Sequence, residues 1–383
     1  MPSELRVDNI NSTTSPYDPV FSTTGGALSH RNMIINGAMQ VYQRGSLSIT
    51  QSNNGGYALD RFQFYQEGAM GQWAGTMTQD ALSDADIATT GQKNALKVLT
   101  TTVENAISVD EESRLIYKIE AQDCQRLLYG TSSAQSATLS FWAKSTVAGD
   151  YAVSIWQPDG NDVIGSKYTL AANTWTKVSI TFAGNTLENI ANDNTEGLRI
   201  NFMLIAGGNF TSANNTSWSE YAATKLAYGH TASSVSNPWG TNANDAWYIT
   251  GVQFELGSVA TPFEHRSYGE ELRRCLRYYY RHAPVSTYTG YLVTSAYSST
   301  ASRGSYILPE IMRALPTFAN SGSFQSVTGV SIANSDIYAA DSGGHHNVTI
   351  HVNVTDSGVG VGYSWHIRAA NDNTAYWEFT AEF

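Results

Sequence analysis

Apolar and polar residues alternate in short tracts along most of the chain, with the two-residue period of half-buried strands. The alternation is cleanest in His346–Thr355 (HNVTIHVNVT) and Tyr376–Phe383 (YWEFTAEF), and partial in Tyr57–Tyr65 (YALDRFQFY). Further strand candidates are Trp73–Met77, Ala95–Thr102, Arg114–Glu120, Ala137–Ala143, Tyr151–Gln157, Lys167–Leu170, Thr174–Phe182, Leu198–Ile205, Trp218–Leu226 and Trp247–Leu256. Gly, Asn, Asp and Ser turns such as Pro158–Asp162 separate them. The segment NMIINGAMQVYQRG (Asn32–Gly45) reads as a β run broken by a bulge or tight turn at Asn36-Gly37. Glu120–Tyr129 and Leu187–Asn192 read as a turn or two of helix.

One stretch follows the helical period. Ser267 and Glu270 have capping-box spacing, Leu272, Leu276 and Tyr279 fall on one stripe with Cys275 beside it, and Pro284 stops the run. A helix over Ser267–Arg281 is therefore expected, with its apolar stripe packed against a domain or a second subunit. Arg273 and Arg277 belong to the same packing element. Beyond it, candidates resume at Tyr288–Tyr297, Ser302–Leu308, Thr317–Phe324, Gly329–Ile332, Asn347–Val354, Gly362–Ala369 and Tyr376–Phe383. The expected fold is mainly β: a large jelly-roll-type β-sandwich over 30–266, one linking α-helix over 267–283, and a smaller C-terminal β-sandwich over 284–383. Residues 1–29 are polar and turn-rich and read as an extended N-terminal arm.

Composition narrows the function. Charged residues are 14% of the 383, against about 25% in an average soluble protein. Asn, Ser, Thr, Gly and Tyr replace them, a surface of neutral hydrogen-bonding groups suited to glycans. A net charge of −11 argues against nucleic acid. Arg266–Arg281 nevertheless holds five Arg and two Glu, a basic element in an acidic chain. Cys124 and Cys275 have neither disulfide-framework nor zinc spacing and are expected as buried free thiols. No signal peptide, membrane span or membrane partner is expected.

Motifs for catalysis are missing: there is no G-x-S-x-G, HExxH or P-loop. Asp60, Glu67, Asp110, Glu111, Glu112, Glu120 and Asp245 are carboxylates that a glycosidase would need in facing pairs, and no motif marks any of them. The chain is expected not to be an enzyme. His345, His346 and His351 read as surface histidines, and Asp80, Asp84 and Asp86 as a solvated acidic turn without the Gly and Glu of a calcium loop. No metal or cofactor is expected. The candidate glycan contacts are Trp239, in the polar loop Gly229–Asp245, with Trp218 and Tyr228 near it in sequence. Against that stands packing of these rings onto the sandwich or a neighbouring subunit. Trp142, Trp156 and Trp175, within strand candidates, are assigned to the core.

RNMIINGAMQVYQRG (Arg31–Gly45), YALDRF (Tyr57–Phe62), WYITGVQFELGSVATPFEHRSYGEELRRCLRYYYR (Trp247–Arg281), ILPEIMRALPTF (Ile307–Phe318) and FTAEF together resemble a family of bacteriophage tail-fibre and minor structural proteins. The resemblance covers roughly residues 30–383. It implies a virion structural protein, homotrimeric like many fibres, whose arm 1–29 attaches to other virion proteins; the leading reading is a tail fibre or receptor-binding protein whose sandwich contacts host surface glycan. Capsid decoration, a collar or a fibre-adaptor subunit is the alternative, and a polysaccharide depolymerase the remote one. The first domain is also similar to the jelly rolls of carbohydrate-binding modules. Those follow Asn-Gly with an acid and often hold a structural calcium. Here Ala38 follows Asn36-Gly37, and Thr250-Gly251 stands where an Asp is usual, so the chain departs from that pattern at its calcium positions.

Overall fold

The computed structural model describes residues 30–50, 55–68, 73–104, 107–212, 217–221, 227–228, 239–326, 329–339, 349–355 and 364–383. The expected arm 1–29, with its role in attachment, lies outside them.

Two antiparallel sheets face each other in the first unit. The six-stranded sheet runs, edge to edge, Leu47–Ile49, Ala74–Ala81, Asn94–Thr102, Ala246–Leu256, Ala137–Ser145 and Thr176–Phe182. The seven-stranded sheet runs Ser219–Glu220, Asp162–Leu170, Gly149–Gln157, Glu196–Ala206, Glu112–Glu120, Phe62–Glu67 and Gly55–Tyr57. Successive strands switch repeatedly between the sheets, as in a jelly roll. Alternation decides what is buried between them: Leu198, Ile200 and Phe202 point inward, whereas Arg199, Asn201 and Met203 point outward. Phe62, Phe64, Phe141, Tyr151 and Trp247 fill the same core.

The second unit is also layered. Its seven-stranded sheet runs Ser331–Ile332, Phe324–Ser326, Ser364–Ala369, Gly290–Ala296, Ala301–Ile307, Thr349–Thr355 and Ile337–Ala339. A three-stranded sheet, Tyr279–His282, Tyr376–Thr380 and Thr317–Ser321, packs on it. Trp377 meets Tyr291 at 5.1 Å and Phe379 meets Tyr306 at 5.0 Å across the two layers. The mainly β fold with one linking helix is as the hydrophobic pattern predicts, and both cysteines are free and buried.

Several local expectations are corrected. Asn32–Gly45 is not a strand, because side chains rather than a regular ladder with a neighbouring strand take many of its amide hydrogens. Ile34 N donates to Asn32 Oδ1 at 2.9 Å, Val41 N to Asn36 Oδ1 at 2.8 Å and Gln43 N to Asp60 Oδ2 at 2.9 Å, while Asn36 N donates to the Glu271 carboxylate. The Asn36-Gly37 turn is real, with Asn36 at φ 63°. A Cβ at Gly37 would fall 2.1 Å from Val252 O, so only glycine lets this turn lie against the last strand of the sandwich. Asp84–Thr90 is a short helix capped by Ser83, not an irregular acidic turn. Glu120–Tyr129 holds the 3₁₀ segment Ala121–Leu127, whereas Leu187–Asn192 is irregular. Of Trp218–Leu226, Ser219–Glu220 forms a strand and 222–226 lie outside the described residues.

The linking helix is shorter than its stripe suggests. It spans Tyr268–Leu276, with Ser267 Oγ accepting from Glu270 N at 3.2 Å as the capping spacing requires. Its buried positions are Glu271 and Cys275, followed just beyond its end by Tyr278, while Leu272 and Leu276 are half-buried. Tyr279 is not on the helix at all. It opens the strand Tyr279–His282, whose ladder with Tyr376–Thr380 captures the backbone that would have continued the helix. The packing face is thus rotated by one residue because Glu271 is buried to serve Asn36 N and pair with Arg266.

Around this helix the two units are joined by buried ions. Arg61 and Glu382, 1% and 4% exposed, form a salt bridge, and Arg61 Nη2 also donates to Lys118 O at 2.6 Å. The Arg61 guanidinium lies 3.4 Å from the ring centre of Tyr278. Burial opposes its charge, but Glu382 beside it holds the group charged. Arg44 reaches Glu382 at 3.3 Å and stacks 3.5 Å over Tyr279. Glu120 accepts from Arg277 Nε and Nη2, both at 2.8 Å, and from Tyr278 OH. At the surface, Arg273, 75% exposed, pairs with Glu310 of the second unit at 2.6 Å. Arg313 donates to Asn194 O, Ala381 O and Glu382 O. Arg273 and Arg277 thus do bind the flanking units.

Glu382→Ala leaves Arg61 buried without its carboxylate. The variant should lose about 3–5 kcal/mol of stability, read as a lower denaturant midpoint; an unchanged midpoint would sink the clasp. Burial works against ionisation of Glu120, but its bonds from Arg277 and Tyr278 outweigh that and hold the carboxyl below the usual range. A depressed acid stabilises the fold above its unfolded value and loses that contribution as pH falls through the folded one. Stability should therefore drop on acidification below about pH 4, and Glu120→Gln should blunt the drop when melting is followed from pH 5 to 2.5.

Candidate functional site

The three rings singled out by the sequence do not converge. Trp239 is 1% exposed and lies 5.8 Å from Trp73, with Gly240 (φ 87°) folded over the same ring. Asp245 Oδ2 accepts from Gly240 N and Asn242 N, which closes the polar loop and turns its one large apolar side chain inward. Trp239 therefore packs the loop onto the sandwich and offers no face to a glycan. Trp218 is half-buried elsewhere, its Nε1 donating to Ala183 O at 2.6 Å and its ring edge-on to Tyr129 at 5.6 Å. Tyr228 contributes backbone to a parallel bridge with Ser212; its side chain lies outside the described residues.

An aromatic cluster lies on the outward face of the six-stranded sheet, and two of its rings, Trp142 and Trp175, are ones the strand pattern assigns to the core. Trp142 and Tyr248 stand on neighbouring strands, Trp142 opposite Thr250 and Tyr248 opposite Lys144. Both are half-buried and point away from the sandwich interior. They pack with Trp175, Leu82, Ala95 and Ile87 in a small cluster of their own. The helix Asp84–Thr90 walls one side. From it Asp86 Oδ1 accepts from Trp175 Nε1 at 2.8 Å, and Asp86 Oδ2 pairs with Lys144 at 3.4 Å. The Lys144 ammonium sits 4.8 Å from the Trp175 ring centre and 4.9 Å from that of Tyr248. Lys97 approaches Tyr248 at 5.4 Å.

Backbone geometry makes room for this platform. The strand Ala246–Leu256 bulges between Thr250 and Gln253, with Gly251 at φ 60°. A Cβ there would stand 3.3 Å from Trp142 Cδ1 and 3.6 Å from Gln92 Cγ. The result is a cluster of rings on the outward face, with Lys144 over Trp175 and Tyr248 and with Trp142 and Tyr248 each half-buried. Flat apolar faces beside hydrogen-bonding and charged groups are what a sugar ring requires of a protein.

The outward face of the seven-stranded sheet is more polar. Trp156 and Arg199 stack at 4.3 Å, Tyr221 adds a second ring at 5.7 Å, and Glu196 fixes Arg199 at 2.6 Å. Further along, Glu67 and Glu112 stand directly opposite on adjacent strands. Burial pushes the Glu112 carboxyl up to about 7, against the pull of Arg114 at 2.9 Å. This carboxylate pair has no sequence motif; only strand register brings it together. Elsewhere His351 contacts Ser305 at 3.0 Å, while His345 and His346 lie outside the described residues. Among the described residues no three His, Cys, Asp or Glu side chains gather as a metal site.

No family model matches the sequence, and no curated protein matches it. Solved structures of similar architecture include the enzymatically active domain of bacteriophage CBA120 tailspike protein 4, at 13% identity and a TM-score of 0.31 over 59% of this chain. The match takes in 21% of that tailspike chain. A family 11 carbohydrate-binding module of the Clostridium thermocellum cellulase Lic26A-Cel5E matches at 14% identity and a TM-score of 0.27, over 58% of this chain and 98% of the module. TmCBM61, solved with β-1,4-galactotriose, matches at 9% identity and a TM-score of 0.26, over 60% of this chain and 99% of its own. Likenesses at these values leave the functional reading to the residues of this chain.

Proposed function

We propose that the protein is a bacteriophage virion component of the tail-fibre or receptor-binding type, and that it holds host surface glycan on the outward face of its six-stranded sheet. The observation that carries the glycan reading is the outward-facing, half-buried pair Trp142 and Tyr248, fixed by Lys144, Asp86 and Trp175. The phage reading rests on the motifs in Arg31–Gly45, Tyr57–Phe62, Trp247–Arg281, Ile307–Phe318 and the closing FTAEF. A homotrimer would multiply a weak site into useful avidity. The protein then acts on the virion, outside the host cell.

A second reading, a virion part with no ligand of its own, is favoured by where the motif residues lie. Asn36, Arg44, Arg61, Glu271, Arg277 and Glu382 build the joint between the units, whereas Tyr248 and Gly251 of the same motifs lie at the aromatic platform. A third, polysaccharide cleavage, has the facing Glu67 and Glu112 in its favour.

The readings separate experimentally. Protein should adsorb to host cells and block infection, and Trp142→Ala or Tyr248→Ala should weaken adsorption roughly five- to tenfold, an aromatic contact contributing about 1 kcal/mol. Adsorption unaffected by both substitutions would exclude the platform, and no adsorption at all would leave the ligand-free virion part. Incubation with host polysaccharide should release no new reducing ends; release that disappears in Glu112→Gln would instead establish cleavage.

A further inference from the structure

A second site of different chemistry lies on the second unit. The seven strands of its larger sheet carry no Asp or Glu in a chain of net charge −11, yet hold Arg303, His351, His366 and Arg368. All four occupy outward positions, since Val352, Val354 and Ile367 between them face the core. Register sets two of them side by side. Ser295 stands opposite Arg303 and Arg303 opposite Asn353, with Ser305 opposite His351 one step along.

Between these rows runs an open groove of about 550 Å³, lined by Val293, Ser295, Tyr297, Arg303, Ser305 and His351. Arg303 is pre-positioned in it. Its Nε donates to Asn353 Oδ1 at 2.7 Å, and its guanidinium carbon lies 5.5 Å from the Tyr297 ring centre. In the joint, Arg44, Arg61, Arg277, Arg281 and Arg313 each place a terminal nitrogen on a carboxylate or carbonyl. The terminal nitrogens of Arg303 have neither among the described residues. Tyr297 and Val293, 55% and 51% exposed, give the groove an apolar side, and the two serines give it hydroxyls.

We propose that this groove binds a carboxylate-bearing saccharide. The carboxylate would take the open fork of Arg303, which matches it in two parallel hydrogen bonds. The sugar ring would lie along Tyr297, with Ser295 and Ser305 meeting its hydroxyls. The volume accommodates one or two sugar residues. The strands around it carry no Asp or Glu, and among the described residues the contact from Asp336 is to Thr355, at the margin of the sheet.

The test is calorimetric titration of the full chain with an oligouronate, with the neutral oligosaccharide of the same linkage, and with inorganic phosphate. The oligouronate should bind and the neutral sugar should bind at least tenfold more weakly. Arg303→Ala should lose tenfold or more in affinity with its melting temperature unchanged, and Arg303→Lys should recover only part of it. Tyr297→Ala should weaken the oligouronate and leave phosphate alone. Equal binding of charged and neutral sugars, an unaffected Arg303→Ala, or phosphate competing as well as the oligouronate would each overturn the proposal. So would no binding at millimolar ligand. A change of oligomeric mass in Arg303→Ala without a change of affinity would assign the face to a second copy of the chain.

Discussion

The structure hangs on a guanidinium taken out of water. Arg61 belongs to the first sandwich and its carboxylate partner, Glu382, to the end of the second unit's last strand segment. Neither charge is tolerable alone in that setting, because an unpaired buried ion costs several kcal/mol. The aromatic rings of Tyr278, Tyr117 and Phe383 around it supply the remaining contacts. Arg44, Glu120 and Arg313 repeat the arrangement on either side. Two β units that share a layer of ions in this way cannot tilt freely, so the surfaces they display keep a set relation to each other.

Much of this architecture is written locally in the chain. Period-two tracts such as Tyr151–Gln157 and Tyr376–Phe383 mark strands because their inward positions are apolar one after another. The Ser267 and Glu270 spacing marks the helix start. What local pattern misses is backbone whose hydrogen bonds go to distant side chains. Asn32–Gly45 looks like a strand by composition, but Asp60 and Glu271 take its amides. The helix end is misread for the same reason, since the competing ladder comes from residues about a hundred positions later.

The outward aromatic and basic faces are less legible in the sequence than the fold. A tryptophan in a polar loop suggests exposure, and Trp239 is buried; a tryptophan in a strand suggests the core, and Trp142 faces outward. The strand pattern contains the correction, because Phe141 and Ala143 are apolar and Trp142 and Lys144 lie between them on the other face. Whether such an outward ring is isolated or part of a platform depends on register across strands, which is not a local property. Arg303, Ser305 and His351 illustrate it again: they become neighbours only once two strands some fifty residues apart are paired.

The Arg61–Glu382 pair has a further consequence for how the protein comes to exist. The two residues are 321 positions apart, so during synthesis the first sandwich emerges long before its counter-ion does. Domains fold as they leave the ribosome, N-terminal first, so Arg61 meets water until the second unit docks, and the pair is buried only when the joint closes. The clasp is thus the last long-range contact of the joint that synthesis makes possible.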